Sequence, residues 1–253
     1  MTGIRISVVI PARNEEHSIS RVLAELPPEY EVIVVDGRST DATAEMVRQA
    51  RRDVILLEQE GHGKGDAVAL GVARATGDIV VMADADGSMD PAEIPRFVEA
   101  LIAGADLVKG SRFLDGGGSG DITRMRTIGN ACLTRTVNVL FGTKYTDLCY
   151  GFMAFWRHRL LFSLDAPGFE IETLVNIRAA RADLRVVEIP SYEHPRQHGS
   201  SNLRIWRDGL RILRTIVRER VRRQGGFAAA GDELVRDLHQ VVTEVTQATK
   251  AGP

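Results

Sequence analysis

Five short apolar runs, each followed by an amphipathic segment, constrain the fold of this chain more than any other feature. The runs are "IRISVVIP", "EVIVVD", "DVILLE", "DIVVMAD" and "DLVKGS". They are too short for core helices and largely unbroken by polar residues, as strands covered on both faces are. The segments between them read as helices. "NEEHSISRVLAEL" has Asn14 placed as a cap and Pro27-Pro28 as a stop, and "DATAEMVRQARR" follows the second strand. "GDAVALGVARATG" ends on Gly77, in the position of a helix-ending glycine. "DPAEIPRFVEALIAG" has Asp90 as N-cap, Pro91 at the first helical position, Glu93 in the capping-box position and Gly104 past the end. The alternation predicts an α/β fold, a mostly parallel central sheet with helices on both faces. Such sheets bind ligands at the carboxyl ends of their strands, where Asp36, Asp84 and Ser111 fall.

After Ser111 the pattern loosens. "LDGGGSGD" reads as a glycine-rich loop without regular structure. A helix is expected from about Arg126 to Phe141, then one or two strands in "KYTDLCYGFMAFW". "GFEIETLVNIRAARA" is a helix that opens on acids, and "LRVVEIPSYEHPRQHGSSN" a strand running into a polar loop. A basic helix, a "GGFAAAG" linker and a final helix from about Asp232 to Thr249 complete the chain. With 253 residues and 44% apolar content, the chain can bury a core without disulfides. Cys132 and Cys149 have neither framework density nor metal-ligand spacing, and they are expected to be buried thiols in a reducing cytoplasm. No signal peptide and no run of roughly 18 apolar residues is present, which speaks against a membrane span.

"VVMADADG" raises the sharpest chemical question: a buried run that ends in two mutually repelling carboxylates, Asp84 and Asp86. A turn accounts for them, because Asp and Gly are turn residues. A divalent cation is the other account, by sharing hard oxygens, but on these eight residues alone the turn is favoured. "EGHGKGDA" is neither a Walker loop, since Gly65 follows Lys64, nor a dinucleotide fingerprint, since Asp66 stands where a third glycine is needed. A glycine-lysine turn before a helix can still approach a phosphate.

Taken in order, "VVIPARNEE", "VIVVDGRSTDAT", "GKGDAVALGVARATGDIVVMADADG", "DLVKGSRF", "TDLCYGF" and "PRQHGSSNL" resemble the inverting family 2 glycosyltransferases, and among them the dolichyl- and polyprenyl-phosphate sugar synthases. The resemblance runs over about residues 5–205 and implies a GT-A fold, a UDP- or GDP-sugar donor and Mg2+ or Mn2+ at an Asp-x-Asp motif, here Asp84-Ala85-Asp86. By the same resemblance, residues 1–203 form the glycosyltransferase domain, with 1–110 as the nucleotide-sugar half and 111–203 as the acceptor half; the basic helix is 204–224, and 225–253 hold the linker and last helix. Pro11, Arg13 and Glu15 match the first nucleotide-binding loop, and Asp36 the acid that accepts from the base. Lys64 falls near the donor. Arg196 and Ser201 match a phosphate-holding loop, in which Asn202 stands where lysine is common. His194 and His198 are left outside the metal assignment.

The resemblance places Asp147 on the acceptor side and Glu170 or Glu172 near the sugar, with Glu172 fitting the pattern better. A hydroxyl acceptor must lose a proton as it attacks, and these acids are the candidate bases. A lipid phosphate is already anionic and needs cations instead, for which Arg112, Arg126 and Arg196 are the candidates, with Arg124 equally well placed. The leading expectation is a polyprenyl or dolichyl phosphate acceptor; the alternative is a soluble hydroxyl acceptor. A binding module for nucleic acid or a membrane surface is the non-enzymatic alternative, and it has no use for an Asp-x-Asp at a strand end. No nucleic-acid partner is expected.

Between Arg204 and Arg223 eight arginines face only Asp208 and Glu219, a net excess of six positive charges. Trp206, Leu210, Leu213, Val217 and Val221 recur at helical steps, widened by Ile205, Ile212 and Ile216. Two readings stand: an apolar stripe packed on the domain beneath a solvated arginine face, or a helix lying on an anionic membrane. The expected location is cytoplasmic, with peripheral contact on the inner face of the membrane.

Overall fold

The computed structural model describes residues 3–196, 198 and 204–222. Ser201 and Asn202 of the phosphate-loop assignment, the linker and the final helix lie outside the described residues. The five sequence-predicted strands are present as β1 (Ile6–Ala12), β2 (Glu31–Asp36), β3 (Ile55–Glu58), β4 (Ile79–Met82) and β5 (Leu107–Ser111). Two further strands, β7 (Met153–Trp156) and β8 (Val186–Pro190), complete one seven-stranded sheet in the order β3-β2-β1-β4-β7-β5-β8. All pairings are parallel except those of β7, which runs antiparallel between β4 and β5. The sheet therefore joins the first 110 residues to the later ones, because β7 is inserted between two strands of the first half.

Both faces of the sheet are covered. Val8, Ile10, Val34 and Val81 pack on one face with α1 (Ile19–Glu25), α2 (Thr43–Ala50) and α4 (Ile94–Ile102). The intervening Val9, Ile33, Val35 and Val80 pack on the other with α3 (Lys64–Arg74) and α6 (Ile171–Arg181). Side chains alternate along a strand, so a strand between two helical layers needs apolar residues at every position. A third, smaller cluster holds α5 (Arg124–Phe141) and α7 (Ile205–Val221) against α6 through Val137, Ile177, Ile212 and Ile216.

Several local expectations are corrected by tertiary contacts. Asn14 is not a helix cap: it has a φ of 57° and its side chain accepts the Thr40 N–H (2.8 Å), while α1 starts only at Ile19. Gly77 does not close α3, which ends at Arg74; it is glycine because Ser7 of β1 occupies the space of a Cβ. Asp90 caps as expected, accepting from Ala92 N, but the Glu93 carboxylate reaches across to Ser191 and Tyr192 rather than back to Asp90. The glycine-rich loop contains a short strand, β6 (Gly118–Ser119), paired with β9 (Tyr192–Glu193). Only Met153–Trp156 of the "KYTDLCYGFMAFW" stretch is a strand. Cys132 is exposed, not buried; Cys149 is half-buried, and burial pushes its thiol up to about 12.

α7 is fastened to α6 by charge. Arg178, 1% exposed, donates to Glu219 at 2.7 Å, and Arg181 donates to the Glu219 carbonyl at 2.6 Å. Removing one partner of a buried pair leaves the other charge uncompensated, at a cost of about 3–5 kcal/mol. Arg178 also pairs with the exposed Asp165, so Glu219→Ala is expected at the lower end of that range, a loss of about 3 kcal/mol of unfolding free energy seen as a lower urea midpoint. An unchanged midpoint would remove this clamp from the account of how α7 is held.

Candidate active site

The carboxyl ends of β1, β2 and β4 converge as the parallel sheet requires. Ala12 at the end of β1 is in register with Asp36 at the end of β2. Asp36 is buried and receives the Ser39 hydroxyl at 2.5 Å. β4 ends at Met82, two residues before the Asp84-Ala85-Asp86 turn. Ala85 points into the core, and Gly87 follows with a φ of 73°. The turn and the metal readings of this segment are compatible: it is a turn, and it presents carboxylates at the mouth of the sheet.

Two cations organise these carboxylates. Lys64 Nζ lies 2.6 Å from Asp84 Oδ1 and 2.7 Å from Glu172 Oε1. Arg196 bridges Asp86 Oδ2 (2.6 Å) and Glu15 Oε1 (3.0 Å). Each aspartate thus shares a cation with one further acid, drawn from a distant part of the chain. Burial disfavours charge on Lys64, but Asp84 and Glu172 outweigh it and raise its pKa, so the ammonium stays protonated. Burial raises the Glu172 carboxyl, and Lys64 offsets this only in part. Glu15 is likewise raised by burial, against the Ser18 hydroxyl and Arg196.

The start of α3 fixes Lys64. The N–H groups of Gly65 and Asp66 donate to Pro167 O, at 2.8 and 3.3 Å. These amides are taken, so the loop approaches a ligand through the Lys64 side chain rather than through its backbone. A Cβ on Gly65 would collide with Ala166 O, which explains the glycine beside the lysine. Gly151 has a parallel role opposite: a Cβ there would stand 2.9 Å from Lys64 Nζ and 3.1 Å from Glu172 Oε1.

The remaining candidates separate from this cluster. Asp147, with 0% exposure, holds the Arg112 guanidinium by both oxygens, at 2.7 and 3.0 Å, and Arg112 also reaches Glu193 at 3.1 Å. Burial raises the Asp147 carboxyl, but Arg112 and then Lys109 carry it below the usual range. A carboxylate with both oxygens engaged and no access to solvent is not placed to take a proton from an acceptor. Arg112 is equally committed and does not present a free cation. Glu170 is also buried: Oε1 accepts from Gly168 N, and Oε2 has no hydrogen-bond partner among the described residues. Arg126 lies 3.6 Å from Asp121 at the start of α5, and Arg124 is exposed. Arg13 is exposed and Pro11 half-buried on β1. His194 is tied by its backbone to Ser88 O, and His198 stacks near His17 at 5.5 Å, so neither joins the aspartates in a three-ligand cluster among the described residues.

Sequence reading missed Lys109, Glu193 and Gly151. Lys109 on β5 sits in register with Glu188 on β8 and donates to it at 3.2 Å, while Glu188 accepts from Thr146 N at 2.7 Å. The signal was a lone charge inside each of two apolar strands, which becomes meaningful only when the strands are known to be neighbours.

The donor set fits a divalent cation in part by itself. Asp84 and Asp86 offer hard oxygens, and no third carboxylate or imidazole joins them among the described residues. Mg2+ is commonly held by one or two carboxylates together with water and substrate phosphates, so a site of this kind is completed by a diphosphate.

Comparison with known proteins gives the family and the fold. The profile described as Glycosyl transferase family 2 matches residues 7–161. The chain is 32% identical over 218 residues to glycosyltransferase AglJ of Haloferax volcanii, covering 84% of this chain and 71% of that protein. It is 32% identical over 208 residues to the undecaprenyl-phosphate 4-deoxy-4-formamido-L-arabinose transferase of Edwardsiella ictaluri, covering 78% of this chain and 62% of that longer protein. Glucosyl-3-phosphoglycerate synthase of Mycobacterium tuberculosis, crystallised with Mn2+, UDP and glucosyl-3-phosphoglycerate, superposes with a TM-score of 0.67 at 26% identity, covering 86% of this chain and 80% of that one.

Two outcomes test the site. In Gly151→Ala the added methyl crowds the ends of Lys64 and Glu172 and touches Met89 Cε at an ordinary 3.6 Å, so the melting temperature is expected to stay near wild type while any binding of UDP, measured by calorimetry, falls about tenfold. Asp147→Ala strands the buried Arg112 and is expected to cost about 3–5 kcal/mol of stability. Its pH signature has a definite sign. The folded carboxyl titrates below the unfolded value of about 3.9, so the stabilisation is complete above that value and is lost as pH falls through the folded one. A folded, fully stable Asp147→Ala protein that had lost only turnover would instead support a base.

Proposed function

Because the chain belongs to glycosyl transferase family 2 and has its GT-A fold, we propose that it moves a sugar, with inversion, from a nucleoside diphosphate donor to a polyprenyl phosphate in a reaction that depends on Mg2+ or Mn2+. The observation that carries the proposal is the paired arrangement at the strand ends, Lys64 between Asp84 and Glu172 and Arg196 between Asp86 and Glu15. Two carboxylates for a hard cation and two cations for a diphosphate stand side by side.

Each group has a part in this reading. Asp36 accepts a hydrogen bond from the base; the N3–H of uracil suits it, and the UDP in the solved synthase favours that nucleotide. Asp84 and Asp86 would hold the divalent cation, which would supply Lewis-acid neutralisation of charge on the leaving diphosphate. Lys64 and Arg196 act on the same charge from the protein side, as fixed cations in a site partly closed to water. Glu172 and Glu15 are positioning residues: each gives Lys64 or Arg196 a second anchor besides the aspartate that would serve the metal. The acceptor oxygen attacks the anomeric carbon from the face opposite the diphosphate; that C–O bond forms as the bond to the diphosphate breaks, which inverts the centre.

The state of the acids supports a phosphate acceptor. Of the three candidate bases, Asp147 is locked on Arg112, Glu170 is buried beside Gly168, and Glu172 is engaged with Lys64. A phosphate oxygen needs no base, and the undecaprenyl-phosphate transferase among the relatives is consistent with it. The rival, a soluble hydroxyl acceptor, would need Glu172 as its base, and the raised pKa of that buried acid favours proton uptake.

Transfer from a panel of UDP- and GDP-sugars to a short-chain polyprenyl phosphate tests the reading, with the anomeric configuration of the product read by NMR. Asp86→Ala is expected to abolish turnover and the response to metal. Glu172→Gln is expected to lower transfer to the lipid phosphate by about tenfold, the scale of a positioning defect, whereas loss of a general base would cost at least about a hundredfold. Robust transfer to a hydroxyl acceptor alone would move the assignment to the soluble class.

A further inference from the structure

Helix α7 is packed with its acids inward. Its two acids are both buried: Asp208 accepts the Arg204 N–H at 2.7 Å, and Glu219 is clasped by Arg178. Ile212 and Ile216 accompany them into the cluster with α5 and α6. The other apolar residues do not follow. Leu210, Leu213, Val217 and Val221 are exposed, Val217 by 53% and Val221 by 75%. The single stripe read from the sequence is therefore split, and its larger part faces outward; the side chain of Trp206 lies outside the described residues. Arg207, Arg214 and Arg220 are exposed on the same helix and have no ion pair among the described residues, while Arg211 and Arg222 keep partial contacts with acids at 3.5–3.6 Å. The outer side thus carries large apolar side chains and cations, and no acid.

This is not how a helix that merely covers a domain is arranged, because such a helix turns its apolar stripe to the core. The exposed row runs from Leu210 to Val221, roughly three turns or 16 Å. A partner for it must be apolar along that length and negatively charged beside it. An anionic lipid surface has both properties in the required order: acyl chains for Leu and Val, and headgroups for guanidinium ends that can extend upward from apolar stems. The face also adjoins the site. Arg211 Nη1 lies 3.4 Å from where a Cβ on Gly168 would stand, and the Ala166–Gly168 loop seats the start of α3 that carries Lys64. Among the described residues no helix is long and apolar enough to cross a membrane, so contact through this helix would be peripheral.

We infer that α7 lies flat on an anionic bilayer through Leu210, Leu213, Val217 and Val221, with Arg207, Arg214 and Arg220 at the headgroups. This deepens the reading given under the proposed function by naming the surface on which a lipid phosphate is met, and it rests on the packing of α7 rather than on the donor chemistry.

Flotation of the full chain with phosphatidylcholine vesicles, with and without phosphatidylglycerol, tests it at low and high salt. Binding is expected only with phosphatidylglycerol and is expected to be reversed by salt. Arg207→Gln, Arg214→Gln and Arg220→Gln together should weaken partitioning about a hundredfold, since about 1 kcal/mol per arginine is roughly fivefold. Leu213→Ser with Val217→Ser should weaken it as well, and because all five side chains are exposed, both variants should melt like the wild type. A wild-type protein that stays unbound at low salt overturns the proposal. So does equal binding to neutral vesicles unaffected by the arginine changes, and so does a dimer without vesicle binding that Leu213→Glu dissociates. Metal-dependent hydrolysis of a UDP-sugar, measured on the same samples, separates the two readings: hydrolysis without vesicle binding removes only the membrane face, and binding without hydrolysis removes only the transferase.

Discussion

The cluster at the strand ends depends on one buried ammonium. Lys64 sits where the end of β4, the start of α3 and the first turn of α6 meet, and it holds a carboxylate from two of them. Without it, Asp84 and Glu172 would be like charges in a partly dry space. With it, each element has a reason to stop where it does. β4 ends so that Asp84 can reach the lysine. α3 begins at Lys64 because its first amides are received by Pro167, and α6 opens with Glu172 facing inward. The glycine at 151 completes the arrangement by leaving room for the ammonium.

Elsewhere, buried charge fixes position more than it adds stability. A buried ion pair gives up hydration that its Coulomb attraction roughly restores, so its net contribution is small while its geometric demand is large. Arg112 with Asp147 and Glu193 ties the end of β5 to the 146–147 segment and to β9. Lys109 with Glu188 ties the same segment to β8. These contacts leave Arg112 and Asp147 engaged with each other, as a frame for the loops around them. The distinction matters chemically, because a frame loses stability when it is cut, whereas a base loses only rate.

α7 follows the same logic with a different result. Glu219 finds the buried Arg178 of α6 on the inner side and orients the helix, while the buried Asp208 accepts from Arg204 N at the helix's own start. Its leucines and valines are then turned out, next to unpaired arginines. Hydrophobic burial alone would have chosen the opposite rotation. The directed charge contacts to the buried Arg178 and the half-buried Arg181 hold this rotation.

The sequence by itself determined the layers. Continuous apolar runs between amphipathic segments allow little besides a parallel sheet with helices on both sides, because every strand position must be buried. The same pattern put Asp36 and Asp84 at strand ends, since that is where an apolar run gives way to polar residues. Order of motifs sufficed for the family, and it drew Lys64, Asp86 and Arg196 toward one donor site. Tertiary structure alone decided which acid serves which cation. Glu15 and Arg196 are far apart in the chain, as are Lys64 and Glu172, and no local pattern reports a pairing between them. It also decided the insertion of β7 between β4 and β5, the burial of Asp147 on Arg112, and the rotation of α7. Local sequence encodes periodicity and end signals, whose energies are local. The identity of a buried charge's partner is a long-range property, set by which strands and helices become neighbours once the chain has folded.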